Sequence, residues 1–365
     1  MTSPQPAEAT RLLSLDALRG FDMFWIIGGD YLIRSLPKIH DDPITRELAA
    51  QMDHCAWAGF HFYDFIFPLF VFIVGAAIPL SLPRLIERAG RGAAIKRIFV
   101  RSVILFLLGV FYMGGVTDGF KNIYLAGVLH RIAVAYFFAA LFFCFLQPRN
   151  LVAVCFGLLV GYWALMTFLP VPGVGVPDLS QPGQNLAHYL DELYLPGKKF
   201  EGTLLSTMAA VANCLLGIFA GLLLKKDSLS QRQKFLLLFF GGVSVLTFGV
   251  AWAQIFPVIK LLWTSSYVLI SCGLGAALLA VFYFFIEIRG WQRWTQPFVW
   301  IGMNAITIYL VSGIVNFHRL AGRFVGGDIA RCLGPFAGFT QALVTLAMGF
   351  WFVHFLYRRK IFLRL

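Results

Sequence analysis

Long apolar runs separated by short polar connections make up most of the chain. A helix needs about 20 apolar residues to cross a bilayer, and ten segments approach or exceed this length. They are residues 14–36, 60–82, 97–115, 124–146, 150–170, 203–224, 234–256, 264–287, 297–316 and 336–357. Because an open strand edge leaves backbone groups unsatisfied in lipid, we predict that every segment is a helix. The pattern therefore predicts an all-α fold, a polytopic transmembrane helix bundle of about ten spans.

The composition agrees with an integral membrane protein and argues against other classes. Of 365 residues, 59% are hydrophobic and 13% are charged, whereas soluble domains contain about 25% charged residues. The net charge of +12 does not indicate nucleic-acid binding, because the basic residues lie in short connections and no aromatic-basic reader motif is present. The six cysteines are scattered without a C-x-x-C pair, so we expect no disulfide framework.

The distribution of basic residues predicts how the spans are oriented. If the N-terminus is cytoplasmic, the inner connections hold more Lys and Arg than the outer ones, as the positive-inside rule requires. We therefore predict that both termini are cytoplasmic, with residues 1–13 as an N-terminal segment and residues 14–365 as a single transmembrane domain. No small-residue cleavage site follows the first apolar run, so we expect that run to remain as a signal anchor. The long outer connection 171–202 is rich in Pro and Gly and fits either an ordered lid or a flexible loop.

Polar residues near the outer ends of the spans form the first candidate site. Charged groups inside a bilayer are costly, and they therefore mark function by default. The outer group combines acidic, basic and hydrogen-bonding side chains: Asp30, His54, His61, Asp64, His130, Arg131, Glu201 and the "LWTSS" stretch with Trp263 and Ser265. Trp57 and Asn304 are further candidates for substrate binding. Ordinary structural roles compete with function here, since Trp57 also fits an interfacial belt and Asn304 an interhelical hydrogen bond.

A second group lies at the predicted cytoplasmic side. Its members are Asp16, Arg19, Lys96, Arg97 and Arg101. Together with the glycine-bearing stretch "RAGRGAAIKR" they form a positive surface suited to phosphates. The alternatives are a structural Asp16–Arg19 ion pair and ordinary positive-inside charge. The spacing of His54, His61 and Asp64 is not a specific zinc pattern, and we expect no metal.

Several stretches resemble the membrane family of heparan-α-glucosaminide N-acetyltransferase and its bacterial relatives. The matching stretches, in chain order, are "LDALRGFDMFWIIGGD", "HCAWAGFHFYDFIFPLFVFIVG", "GVLHRIAVAYF", "FEGTLLSTMAAVANCLLGIFAG", "LWTSSYVL" and "FVWIGMNAITIYL". They run from about residue 12 to residue 312. The resemblance implies an enzyme that takes an acetyl group from cytoplasmic acetyl-CoA and transfers it across the membrane to the amine of a glucosamine-type sugar.

The resemblance also implies particular roles and a location. The family's catalytic histidine precedes the second span, and the matching position in "HCAWAG" is His54. Asp30 stands where the family carries an asparagine, and we expect it to orient the imidazole or to bind a cationic amine. The family resemblance further suggests a homodimer in a bacterial inner membrane.

The predicted mechanism joins the two groups. The inner group would hold the CoA phosphates, and the pantetheine arm would bring the thioester to His54. His54 would then act either as a general base or as the carrier of an acyl group. Arg131, Asn304 or the "LWTSS" hydroxyls would bind the developing oxyanion, while Asp64 and Glu201 would hold the sugar. A transporter of amino sugars is the alternative function, and a non-catalytic scaffold explains the polar residues least well.

Overall fold

The computed structural model describes residues 12–117, 119–197 and 202–363, which form helices without any extended strand. This confirms the predicted all-α bundle. The first eight helices are α1 (Leu13–Phe24), α2 (Asp30–Arg34), α3 (Leu36–Ile39), α4 (Pro43–Ala50), α5 (Phe62–Tyr112), α6 (Val128–Phe145), α7 (Pro148–Phe168) and α8 (Leu186–Tyr194). The remaining eight are α9 (Thr203–Lys225), α10 (Gln231–Trp252), α11 (Ser265–Tyr283), α12 (Gln296–Met303), α13 (Ala305–Val315), α14 (Phe317–Val325), α15 (Asp328–Leu333) and α16 (Ala337–Arg358).

Within the described residues, seven helical stretches are long and apolar enough to cross a membrane, or eight if the bent pair α12 and α13 counts as one span. The chain is therefore a multi-pass integral membrane protein. Helix α5 holds two predicted spans in 51 residues. At 1.5 Å per residue it would be about 76 Å long if straight, more than twice the ~30 Å hydrocarbon core. It is interrupted at Gly90, whose φ of 80° and ψ of 168° are not helical. The count of ten spans and the position of the termini stay predictions.

The first predicted span is broken. Helix α1 ends in a wider π-helical turn, Trp25–Gly29, before α2 begins at Asp30. Gly28 has a φ of 139°, a conformation that a side chain would strain. A break within a span requires protein or a cavity beside it, because lipid cannot satisfy the freed backbone groups.

The centre of the bundle is the contact between α5 and α9. Gly75 on α5 and Gly217 and Gly221 on α9 let the two backbones approach closely. A Cβ added at Gly217 would lie 2.1 Å from the carbonyl oxygen of Phe72. The stretch from Gly217 to Gly221 is a G-x-x-x-G pattern, which favours close helix packing in membranes. This packing matters for the site, because α5 carries Asp64 at its beginning.

We expect Gly217→Ala to destabilise the bundle, because the added methyl group forces α5 and α9 apart. Overpacking of this kind costs about 1–3 kcal/mol, and thermal unfolding in detergent measures it. The matched control is Gly157→Ala on the exposed side of α7, where an added Cβ meets nothing within 4 Å. Equal melting temperatures for the two variants would contradict the assigned α5–α9 contact.

Candidate active site

The carboxylate of Asp64 organises the loop that precedes α5. Its Oδ2 atom accepts hydrogen bonds from the backbone N–H groups of Cys55 (3.2 Å) and His61 (3.1 Å). His61 is the N-cap of α5, and Asp64 lies in the first turn, where the helix dipole favours negative charge. The side chain of Asp64 is fully buried. The loop 54–61 is therefore folded around one carboxylate.

His54 lies on this carboxylate and faces solvent and the cavity described below. Its Nδ1 atom is 2.8 Å from Oδ1 of Asp64, and its side chain is 52% exposed. With the Nδ1 proton assigned to the bond with Asp64, the Nε2 atom is the basic nitrogen of the ring. The ring of Tyr63 packs against the imidazole at a centroid distance of 5.0 Å. The arrangement is an Asp–His dyad of the kind used in acid–base catalysis.

Lys260 completes the cluster from a distant part of the chain. The N–H of Gly59 donates to the carbonyl of Val258 (2.9 Å), and Ala58 forms an isolated antiparallel bridge with Ile259. This pairing brings the Nζ atom of Lys260 to 3.1 Å from Nε2 and 2.7 Å from Nδ1 of His54, and to 3.2 Å from Oδ1 of Asp64. Burial lowers the pKa of Lys260, and the Asp64 carboxylate opposes that shift.

Hydroxyl groups fix the loop that carries Lys260. The Thr264 hydroxyl accepts from the N–H of Ile259 (3.1 Å), and Ser266 donates to the carbonyl of Pro257 (3.2 Å). Tyr162 donates to the carbonyl of Leu262 at 2.5 Å. All three hydroxyl groups are buried, and satisfied buried hydrogen bonds of this kind rigidify a loop. The "LWTSS" hydroxyls therefore hold Lys260 in place.

A cavity of about 430 Å³ opens beside His54, within the ~300–1,000 Å³ range of ligand pockets. Most of its wall is apolar. It lies among α1, α5, α6, α13 and the loop before α11, and its polar lining consists mainly of His54, Lys260, Arg131 and tyrosine hydroxyls. The tyrosines are Tyr63, Tyr112, Tyr124 and Tyr309. The cavity therefore places a nitrogen base and cations in a mostly apolar wall.

Arg131 and Trp263, both predicted from the sequence, meet in the cavity wall. The guanidinium carbon of Arg131 lies 4.5 Å from the Trp263 ring centroid, a cation–π contact. Trp263 has a φ of 54°, in the left-handed region that non-glycine residues rarely adopt. Such strain is typical of functional positions. Trp263 also contacts Phe67 edge to face at 4.7 Å, which ties it to α5.

Asn304 lies at the bend between α12 and α13. The two helices are bent by 70° at this residue. Its Nδ2 donates to the carbonyl of Trp300 (3.2 Å), and its buried Oδ1 has no hydrogen-bond partner among the described residues. Its neighbours Ala305 and Ile306 line the cavity. Asn304 therefore stands next to the cavity, as the sequence suggested, with an acceptor that is not used.

The structure corrects the partner predicted for His54. Asp30 was expected to orient the imidazole or to bind a cationic amine, but the carboxylate bonded to His54 belongs to Asp64. Amine binding by Asp30 stays a prediction. Asp30 instead faces Arg34, one helical turn later, with Oδ2 at 3.3 Å from Nε. Arg34 also contacts Asp53. The i, i+4 spacing on a short helix explains the pair. Tyr63 contacts both Arg34, at 5.8 Å from the guanidinium carbon to the ring centroid, and His54.

Two predicted substrate-binding residues lie away from the cavity wall, and a third cannot be placed. The indole N–H of Trp57 donates to the carbonyl of Leu179 (2.7 Å) and so anchors the connection 171–197 against the site loop. The Ser265 hydroxyl is buried and donates to the carbonyl of Leu159 (2.7 Å). Glu201 lies outside the described residues. Trp57 and Ser265 both donate to backbone carbonyls of the protein. Substrate binding by these two residues stays a prediction.

The predicted inner group divides between two parts of the bundle. Asp16 and Arg19 form an ion pair at 3.0 Å, and Arg19 also reaches the carbonyl of Gly302 on α12. Arg101 lies over the ring of Tyr136 on α6 at 4.7 Å. Lys96 and Arg97 are exposed on the same part of α5. Phosphate binding by this group stays a prediction.

One trio of side chains has the proximity of a metal site. Potential ligand atoms of Cys55, His61 and Asp64 lie within 4.8 Å of one another. Both carboxylate oxygens already accept hydrogen bonds, and the Nδ1 atom of His61 lies 3.0 Å from the carbonyl of Asp53. These contacts explain the trio as part of the loop structure.

Sequence reasoning missed Lys260 and the tyrosines of the cavity. Lys260 is 206 positions from His54, and only the bridge between residues 58 and 259 brings them together. Hydrophobic periodicity and motif spacing cannot predict a contact between residues so far apart in the sequence. Tyr63, Tyr112 and Tyr124 lie at or beside helix ends, where an aromatic belt is also expected, and therefore gave no separate signal.

Comparison with known proteins gives two similar relatives. The chain is 27% identical to human heparan-alpha-glucosaminide N-acetyltransferase over 376 residues, covering 85% of this chain and 55% of the human protein. It is 25% identical to the enzyme of that name from Mus musculus over 374 residues, covering 85% and 56%. The chain thus spans about half the length of these relatives, and no family model matches it. These matches confirm the resemblance drawn from the motifs: the chain is similar to the heparan-alpha-glucosaminide N-acetyltransferases along most of its own length.

Proposed function

We propose that this protein is a membrane-embedded acetyltransferase that moves an acetyl group from acetyl-CoA to the amine of an amino sugar. The observation that carries the proposal is the His54–Asp64 dyad, placed beside an apolar cavity in a chain similar to N-acetyltransferases. Acetyl-CoA is the donor implied by such relatives. Residues 14–365 would act as one transmembrane unit, and a bacterial inner membrane is the expected location.

The transfer needs a base at the thioester. The acceptor amine attacks the thioester carbonyl, so that a C–N bond forms and the C–S bond breaks. The Nε2 atom of His54 takes the proton that the amine loses, and CoA leaves as a thiolate that recovers a proton. The Asp64 carboxylate holds the tautomer and stabilises the imidazolium as it forms. An acyl-histidine route uses the same two residues.

Lys260 supplies the positive charge that the reaction needs. Its side chain is only 17% exposed, and its ammonium lies within 3.1 Å of the base. A cation at this place stabilises the oxyanion that develops on the thioester carbonyl, and the low-dielectric cavity strengthens the effect. Its contact with Asp64 favours the charged form and so opposes the lowering of the Lys260 pKa by burial. Lys260 thus takes the role of oxyanion binding that the sequence suggested for the "LWTSS" hydroxyls, including Ser265.

The donor would enter from the predicted cytoplasmic side along α5. Lys96, Arg97 and Arg101 would bind the CoA phosphates. Tyr112 lies in the cavity wall and on the same helix as Arg101. At 1.5 Å per residue, the two residues are about 16 Å apart along the helix axis. This is about half of the ~30 Å hydrocarbon core, a distance that the pantetheine arm spans.

A transporter of amino sugars is the second candidate, and the interrupted spans favour it. The break after α1 and the 70° bend at Asn304 both adjoin the cavity, and α1 packs against α12. Interrupted helices around a central site are typical of secondary transporters. Proteoliposomes that take up labelled glucosamine without any acetyl-CoA turnover would establish this function in place of the first.

We expect His54→Ala to reduce acetyl transfer by at least about 100-fold, the usual contribution of a general base. The measurement is CoA release and N-acetylated product from purified protein with acetyl-CoA and an amino-sugar acceptor. His40→Ala, on an imidazole whose side chain is 78% exposed, is the matched control and should keep full activity. Unchanged turnover in a folded His54→Ala variant would exclude His54 from the chemistry.

We expect Asp64→Asn to lower kcat far more than Asp30→Asn, because Asp64 is the carboxylate bonded to His54. A loss on the order of 100-fold or more is expected for Asp64→Asn. Melting temperature and acetyl-CoA binding are measured in parallel, since Asp64 also holds the loop. A larger loss for Asp30→Asn, with both variants folded, would restore the assignment made from the sequence.

We expect the charge of Lys260 to limit activity at alkaline pH. Because burial lowers the pKa of Lys260 below its usual 10.5, the ammonium is lost as pH rises through that lower value. As pH rises, kcat at saturating acceptor should therefore begin to decrease at a pH lower than 10.5. Lys260→Arg should move this decrease to higher pH. An identical alkaline limb in both proteins would remove Lys260 from the mechanism.

A further inference from the structure

The cavity displays positive charge to any ligand that enters. Among the described residues that line it, the groups charged at neutral pH are Arg131 and Lys260, and none is a carboxylate. Two carboxylates lie nearby but are engaged elsewhere. Asp64 is fully buried under His54, and Asp191 accepts from the backbone N–H groups of Thr203 (2.5 Å) and Leu204 (2.9 Å). A ligand therefore meets donors and cations.

Arg131 has unused binding capacity. It is only 9% exposed, and its Nη1 atom is buried without a hydrogen-bond partner among the described residues. The indole Nε1 of Trp263, against which the guanidinium packs, is likewise buried and unpaired. Burial of a charge without a hydrogen-bonding partner is costly. Asp191 influences Arg131 electrostatically, but no hydrogen bond joins them in the described structure.

We propose that Arg131 and Trp263 form an anion subsite, and that the acceptor is an amino sugar carrying a carboxylate or a phosphate. The inference rests on the proposed acetyltransferase function and specifies its substrate class. The guanidinium fork matches either anion in a bidentate manner, and the indole N–H adds a third donor. An anion held there also offsets the repulsion that two cations exert on an acceptor ammonium approaching His54.

The test compares three acceptors at saturating acetyl-CoA: glucosamine, glucosamine 6-phosphate and muramic acid, which is glucosamine bearing a carboxylate. We expect at least one anionic sugar to exceed glucosamine about tenfold or more in kcat/KM, equivalent to about 1.4 kcal/mol. The better of the two anionic sugars identifies the anion. Equal or better use of glucosamine would overturn the proposal.

Variants of Arg131 test whether this residue causes the preference for an anionic acceptor over glucosamine. Arg131→Gln should raise the KM for the anionic sugar and abolish the preference, while the KM for acetyl-CoA stays unchanged, and Arg131→Lys should restore part of it. The matched control is Arg46→Gln, on an exposed arginine paired with Asp41, which should keep the preference. An equal loss of turnover with all three acceptors would assign Arg131 a general structural role and overturn the subsite.

Binding to the wild-type protein separates this proposal from the proposed function. Without acetyl-CoA, the preferred anionic sugar should raise the melting temperature at a concentration where glucosamine does not. If no acceptor is acetylated but this shift is present, the acetyltransferase fails and the anion subsite stands. If turnover is present without any preference or shift, the subsite fails and the acetyltransferase stands.

Discussion

The buried carboxylate of Asp64 is the contact on which the rest of the site depends. It accepts two backbone N–H groups from the loop before α5 and a third hydrogen bond from His54, and Lys260 lies beside it. A carboxylate in an apolar interior is costly unless its oxygens are satisfied. Here the helix N-terminus, the loop and the lysine satisfy them together. The loop, the imidazole and the lysine are positioned because each one stabilises the same charge.

This dependence explains how His54, the proposed base, can stay ordered although its side chain is half exposed. An exposed side chain ordinarily samples several rotamers. The bond to Asp64 and the ring of Tyr63 restrict it. The loop bearing Lys260 is held by Thr264, Ser266 and Tyr162. Buried polar networks of this kind rigidify a site when each member is satisfied.

Much of the fold was predictable because lipid admits few solutions. Apolar length located the long helices but not the breaks at Gly28, Gly90 and Asn304. The long connection that begins at residue 171 was visible from its Pro and Gly content. The sequence also indicated His54, Asp64, Arg131 and Trp263, since buried charges and unusual aromatics in membrane spans are rare. The structure brings these four residues to one cavity or directly beneath it.

The missing parts are those that depend on contacts distant in sequence. Asp30 was expected beside His54, but its own helix provides Arg34 one turn later. Lys260 reaches His54 through a single backbone pairing. Ser265 was expected to face a substrate, yet its hydroxyl is used to join α11 to α7. Charge and motif identify which residues are unusual, whereas only tertiary packing decides which of them meet.

The cavity and the helix breaks have a common physical origin. A membrane helix can be interrupted only where protein or a cavity accommodates the freed backbone groups. The π-helical turn after α1 places Ile26 in the cavity wall, and the bend at Asn304 places Ala305 and Ile306 there. Both interruptions thus adjoin the same cavity. The His54–Asp64 dyad stands at the edge of that space, where the proposed acetyl donor and acceptor would meet.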